Sequence, residues 1–368
     1  MTTGRARARD LGLAPGTLPT GPANAITDVP GIRVGHATLI EGSDIRTGVT
    51  AIVHDVLVGA GPASQRTLPA GLTVFNGFGK MVGTTQVTEL GAIETPVLLT
   101  STLSVFRVAD ALLSYLHEQP GFAGSATLNP VVAETNDGYL SDIWARPVTE
   151  GHVRAALEGA AIGPVAEGCV GAGTGTGALG YKAGIGTSSR VCHQSTGPVT
   201  LGVLVQANFG GILTVLGVPC PPPAQDPAEG QQDDQPEGNS CVIVLATDAR
   251  LDSRELTRLA ARAFGGMART GSDFAGGSGD YALAVSTAGP GAGGQGTGGR
   301  AAGADASGPV PGSDLDVLFL AAIEATEEAI LNSLFMAVTS TGAGGRTRRA
   351  VPLDYVTARV SAAGKSRS

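Results

Sequence analysis

The run PCPPPAQDPAEGQQDDQPEGN (219–239), followed without a break by SCVIVLATDA (240–249), is the stretch whose reading decides the fold. Its first part is crowded with proline and acids and nearly empty of apolar side chains. It cannot bury enough surface to order itself, and reads as an exposed, mobile loop. The second part is a short continuous apolar run, the pattern of a strand covered on both faces. Such a strand needs a layer on either side, so the rest of the chain must supply further strands and helices.

Those elements can be read outward from the junction. Asp252 or Ser253 can cap a helix whose apolar residues fall at Leu256, Leu259, Ala260, Ala263, Phe264 and Met267. YALAVST (281–287) is strand-like, and the Gly/Ala/Ser-rich stretch 286–312 reads as a flexible surface excursion. DVLFLAAIEATEEAILNSLFMAVT (316–339) reads as a strand running into a long helix. Upstream, VTLGVLVQANFGG (199–211) is strand-like and follows a glycine-rich segment, GCVGAGTGTGALGYKAGIG (168–186). Nearer the start, ITDVPGIRVGHATL, TGVTAIVHD, LTVFNGFG, TPVLLTST and TLNPVVAET read as strands closed by turn residues. VFRVADALLSYLHEQ (105–119) has helical spacing stopped by Pro120, and Thr149 caps a helix through HVRAALEGA. Residues 1–25 read as a polar arm. The mixture predicts α/β or α+β layers, with 1–368 forming a single domain.

Composition narrows the function. The chain has 368 residues, 42% hydrophobic and 15% charged, with a net charge of −8. It has no basic stripe and few aromatics, so a nucleic-acid partner is not expected. The 56 glycines point to tight turns and close backbone approaches. The four cysteines (Cys169, Cys192, Cys220, Cys241) lack zinc-site or disulfide spacing and read as buried small hydrophobes or loop thiols. The basic start lacks a continuous apolar core, so it does not read as a secretory signal, and no run is long enough to span a membrane. A cytoplasmic location is the expectation.

The junction itself suggests chemistry. If the Asn239–Ser240 bond is cut, Ser240 begins the strand with a free α-amine beside its own hydroxyl. A hydroxyl is a weak nucleophile without a base, and an α-amine with a pKa near 7.7–8.0 can serve as one. The plainer alternative is that Asn-Ser closes a loop. In GGSGDY (276–281), Ser278 and Asp280 are two apart, so on an extended backbone both side chains point at one locus, unless this is simply a turn. Asn208 in QANFGG can donate to an oxyanion or end a strand. ETNDGYLSD (134–142) crowds Glu134, Asn136, Asp137, Tyr139 and Asp142 together, for chemistry or for a turn.

AITDVPGIRVGHATL, FNGFGK (75–80), ETNDGYLSD, VQANFGG, GNS before VIVLATDA, and GGSGDYALAVST together resemble the L-aminopeptidase/D-esterase and β-peptidyl aminopeptidase family. The resemblance runs in order from about residue 5 to about 356. It implies a precursor cleaved before Ser240 into a 1–239 α chain and a 240–368 β chain. It also implies an αββα sandwich like that of N-terminal nucleophile hydrolases but differently connected. By motif, Ser240 takes the nucleophile's place, and Ser278 and Asp280 those of its companion serine and acid. Asn208 and Tyr139 match residues that line the site and steady the oxyanion, and Glu134 an acid that binds the substrate's amino group. The implied substrates are small peptides, amino-acyl amides or esters, with no metal or cofactor and an assembly of four αβ units.

Three features depart from the family pattern: Cys241 after the nucleophile, the long acidic 219–239 loop and the 286–312 excursion. Cys241 is expected to face away from Ser240 along the strand. Three other classes compete. An acyltransferase on the related fold would use threonine, where this chain has Ser240. A non-catalytic binding protein would have no use for Ser240, Ser278 and Asp280 together. A nucleotide-binding loop at GAGTGTGALG (171–180) lacks the required G-K-[ST] ending.

Overall fold

A computed structural model of the protein describes residues 4–59, 66–223, 240–288 and 312–365. The chain opens with an antiparallel hairpin of β1 (Ile32–Glu41) and β2 (Ile45–His54), in register from Ile32 opposite His54 to Glu41 opposite Ile45. β3 (Leu68–Gly77), the short helix α1 (Thr84–Leu90) and β4 (Ala92–Ile93) follow. Next come β5 (Val97–Ser101), α2 (Val105–His117) and β6 (Val131–Thr135). β5 and β6 pair in parallel, which requires a crossover, and α2 supplies it. After α3 (Glu150–Glu158), the glycine-rich segment folds into the two-residue ladder of β7 (Gly177–Ala178) and β8 (Tyr181–Lys182).

A second long hairpin, β9 (Ile185–Gln194) with β10 (Gly197–Asn208), precedes the small ladder of β11 (Thr214–Val215) and β12 (Val218–Pro219). β13 (Ser240–Thr247), α4 (Ser253–Arg269) and β14 (Gly279–Ser286) make the second parallel crossover. The chain continues through α5 (Gly312–Phe335), the pair β15 (Ser340–Thr341) and β16 (Thr347–Arg348), and α6 (Leu353–Lys365).

Two main sheets result, with strand orders β1-β2-β5-β6 and β4-β3-β14-β13-β10-β9. They stack face to face with β6 packed against β13, while α2 and α3 cover one sheet and α4 and α5 the other. Three apolar clusters fill the spaces between these four layers. Strand alternation explains how β13 serves two of them. Val242, Val244 and Ala246 enter the core between the sheets, while Cys241, Ile243 and Leu245 enter the core against α4 and α5. Cys241 thus faces away from the side shared by Ser240, as expected.

The architecture is the mixed α/β one expected, with local corrections. Residues 316–335 do not begin as a strand; they belong wholly to α5. A short apolar run fits either element, and here Leu315, Leu318, Phe319 and Ala322 recur at helical spacing and are buried. β9 escaped the sequence reading because Thr187, Ser188, Ser189 and Arg190 break its apolar pattern, although all four are buried. The same holds for α1 and α6, which lie where the sequence offered no strong period.

The residues described within the N-terminal arm are pinned down. Ala8 is fully buried, and Arg7 donates to the carbonyls of Asn24 and Thr187 at 2.7 and 2.8 Å. Asp252 is the residue that caps α4, its carboxylate accepting the Glu255 N–H at 2.7 Å. All four cysteines are unpaired, three of them buried. Asn239, most of the 219–239 loop and most of the 286–312 stretch lie outside the described residues.

Candidate active site

Ser240 is the first residue of β13, a strand buried along its whole length. It stands in register with Asn208 at the end of β10 on one side and with Gly279 at the start of β14 on the other. By alternation its side chain shares the inter-sheet face with Val242 and Val244.

Ser278 and Asp280 meet as their spacing suggested: the Ser278 hydroxyl donates to Asp280 Oδ1 at 2.6 Å. Asn76 Nδ2, from the end of β3, donates to Asp280 Oδ2 at 2.9 Å, and the Cys241 backbone N–H also bonds to the Asp280 carboxylate. Burial pushes Asp280 above the usual carboxylate range, and these three donors pull it back toward charge. Ala282 and Ala284, which share Asp280's parity, lie on the helix-covered face. The Ser278–Asp280 pair therefore reaches the head of β13 through the main chain.

Asn208 is almost fully buried. Its Oδ1 accepts the Gly177 N–H at 3.1 Å, and its Nδ2 donates to the Asn136 carbonyl at 2.9 Å. Tyr139 lies in the same 136–142 loop, half-buried, with the Arg348 guanidinium 4.0 Å over its ring. Arg348 also borders Gly177, which links Tyr139 to the surroundings of Asn208.

Glu134 comes from the other sheet, near the end of β6. Its carboxylate is buried, and Oε1 accepts the Lys80 backbone N–H at 2.9 Å, whereas Oε2 has no hydrogen-bond partner. Burial raises its pKa; the Lys80 N–H, the Lys80 ammonium and the Thr102 hydroxyl act against that rise. A buried carboxylate oxygen left open is an acceptor prepared for a cation from outside.

The glycine-rich 171–180 segment is no phosphate cradle. Its N–H groups at Gly171 and Ala172 are taken by the hydroxyls of Thr38 and Thr50. The buried Lys182 ammonium is spent on the carbonyls of Gly173 and Ala183.

The family model for peptidase family S58 matches residues 24–348. The chain belongs to peptidase family S58. It is 40% identical to a β-peptidyl aminopeptidase of Sphingosinicella microcystinivorans, over 94% of this chain and 89% of that protein. Among solved structures, it superposes on a Burkholderia β-aminopeptidase with a TM-score of 0.84 at 39% identity, covering 98% of this chain and 99% of that one. It superposes on the L-aminopeptidase D-Ala-esterase/amidase of Ochrobactrum anthropi with a TM-score of 0.83 at 37% identity, covering 97% and 99%. That structure was described as a prototype of the serine aminopeptidases and a new variant of the N-terminal nucleophile hydrolase fold. The resemblance read from the sequence is thereby established, and this S58 member is a serine aminopeptidase.

Three residues bonded to the candidate site side chains were not singled out from the sequence. Asn76 and Lys80 both fall within FNGFGK, a motif noted only for its family likeness, and they bond to Asp280 and Glu134 respectively. Gly177 bonds to Asn208 and sits in the glycine-rich run. Nothing in the local pattern distinguishes these residues, because each partner lies far away along the chain.

Proposed function

We propose that this aminopeptidase is made as a precursor that cuts itself between Asn239 and Ser240, and that Ser240 then acts as its nucleophile. The observation that carries this reading is the position of Ser240. It begins the central buried strand, with Asn208 in register on one side and the Ser278–Asp280 pair bonded to the adjoining main chain on the other.

In the first step, Ser240 Oγ attacks the Asn239 carbonyl carbon. The C–N bond breaks, an ester forms, and the α-amine of Ser240 takes up a proton. Water then hydrolyses the ester, leaving a carboxylate at Asn239 and a free amine at Ser240. In the mature enzyme, Ser240 Oγ attacks the carbonyl that follows the substrate's N-terminal residue. An acyl-enzyme forms, the leaving amine departs with a proton, and water releases the product.

The Ser278–Asp280 pair is bonded to the main chain beside Ser240, which favours the α-amine of Ser240 as the base. Ser278 and Asp280 then orient and polarise that amine. Asn208 has one Nδ2 hydrogen on the Asn136 carbonyl and a second to offer the oxyanion, a contribution of about 2.7–4 kcal/mol for such a donor. Tyr139 lines the same wall, and Glu134 Oε2 receives the substrate's ammonium, which restricts the enzyme to free N-termini.

The substrates are small peptides, amino-acyl amides or esters. The names of its relatives direct attention to β-amino residues at the cleaved position. The working unit is an assembly of four αβ units in the cytoplasm.

Intact-mass analysis of purified protein tests the scheme. Two fragments split at 239/240 are expected, and Ser240→Ala should remain whole. A single uncut chain with full activity would refute it.

A further inference from the structure

The segment from Asn76 to Lys80 joins the two halves of the site. Asn76 bonds to Asp280, the Phe78 N–H donates to the Ser278 carbonyl at 3.0 Å, and the Lys80 N–H reaches Glu134. The segment lies close enough to β14 that a β-carbon on Gly279 would stand 2.8 Å from Gly79 Cα, so position 279 has no room for a side chain. At its end, the Lys80 ammonium lies 3.9 Å from the same Glu134 oxygen that the backbone N–H occupies, and donates to Thr102 Oγ1 at 2.8 Å.

We propose that Lys80 is the positioning residue for amine recognition: it occupies Oε1 of Glu134, keeps the buried carboxylate ionised, and so leaves Oε2 charged and vacant for the substrate's ammonium. This rests on the reading of Glu134 given above. The groups around Glu134 make Lys80 decisive. Asp137, in the loop after β6, and Tyr281, from β14, also lie close enough to feel it, and neither brings positive charge. Thr102 contributes only a hydroxyl. Burial drives Glu134 toward the neutral acid, which cannot hold an ammonium ion, and Lys80 is the cation that opposes this. Its side chain is 40% exposed, so its effect should lie at the lower end of the range for a neighbouring charge.

The sign follows directly. With Lys80 neutralised, Glu134 takes up its proton at higher pH, and amine binding fails at higher pH. The test measures competitive inhibition of the processed enzyme by a primary amino alcohol, which has no scissile bond, as a function of pH. Its hydroxyl analogue without the amine serves as the neutral control.

In Lys80→Met, which retains the backbone N–H, the acid-side loss of amino-alcohol binding should begin about one pH unit higher. Below the parent's own midpoint, binding should be about tenfold weaker than in the parent, with the neutral analogue unaffected. Lys80→Arg should restore the parent profile, and Lys80→Gln offers a second neutral variant should the methionine fold poorly. A Lys80→Met or Lys80→Gln profile that superimposes on the parent's would overturn the proposal. Glu134→Gln separates the two levels. If it binds the amine as tightly as the parent at every pH, the reading of Glu134 itself fails. If it loses binding while the Lys80 variants do not shift, only the role of Lys80 fails.

Discussion

Asn208 has each end of its amide engaged, and that makes its two roles separable. Asn208→Ala leaves the Gly177 N–H and the Asn136 carbonyl without their partner in a buried setting, which costs about 1–3 kcal/mol for an unmade hydrogen bond. It also removes the proposed oxyanion donor, so kcat should fall by roughly 10²–10³, far beyond what the stability loss alone would produce. Steady-state kinetics beside a melting curve checks both numbers. Asp137 allows a prediction of a different kind. It is buried, one oxygen accepts from Ser101 at 2.8 Å, the other has no partner, and burial pushes its pKa to about 6. A folded-state pKa above the unfolded value means that stability is fully present at low pH and is lost as pH rises through about 6. Buried His36, lowered to about 4 by desolvation, slopes the opposite way over the same interval. The parent's melting temperature therefore conceals both. Subtracting it from that of Asp137→Asn isolates the carboxylate. The variant should gain little near pH 4 and about 3 kcal/mol above pH 6. A constant difference across that range would contradict the assignment.

Among the elements, legibility followed pattern strength. β13 was plain because eight successive residues are buried and its apolar run is bounded by a polar loop. α4 was plain because its apolar period and its Asp252 cap agree. β9 and the start of α5 were not: β9 carries polar side chains toward α5, and the apolar run that opens α5 fits a strand as well as a helix. Arg190 of β9 is completely buried, with bonds of 3.3 Å to Glu324 and 2.8 Å to Glu328 of α5. Arg9 from the N-terminal arm adds a 2.9 Å ion pair to Glu328, and Asn24 a 2.6 Å hydrogen bond. Local reading assigns charged residues to the surface, so it cannot see a strand buried on its charged side. The site shows the same limit. Ser278 and Asp280 are two residues apart and could be paired by eye, whereas Asn76 and Asp280 are separated by 204 positions and only the β3–β14 pairing brings them together. Breaking the Arg190 network should be severe. Arg190→Met leaves two buried carboxylates short of their cation, and a loss of about 3–5 kcal/mol is expected in denaturant unfolding. A loss under about 1 kcal/mol would mean that Arg9 and Asn24 suffice for Glu328.

Across the whole molecule, the proposed cut falls at the edge of its most interlocked part. The β chain would own β13, β14, α4 and α5, yet β13 is hydrogen-bonded along its length to β10, and β14 to β3, both from the α chain. The central sheet would therefore hold the two β-chain strands, β14 and β13, between the α-chain strands β3 and β10. The α5 helix packs on β9 and β10, and Arg9 and Arg190 of the α chain pair with its carboxylates. No fragment could leave without exposing the inter-sheet core and unpairing two strands, and free energies of that kind exceed the few kcal/mol that one peptide bond's chain connectivity contributes through loop closure. The cut should free the amine of Ser240 without loosening the fold around it. Native gel filtration of processed enzyme and of the uncut Ser240→Ala protein should thus give the same elution volume. Denaturing electrophoresis should resolve two bands in the first and one in the second. Separation of the fragments under native conditions would show that the shared sheet does not hold them, and that the covalent link was needed to keep the site assembled.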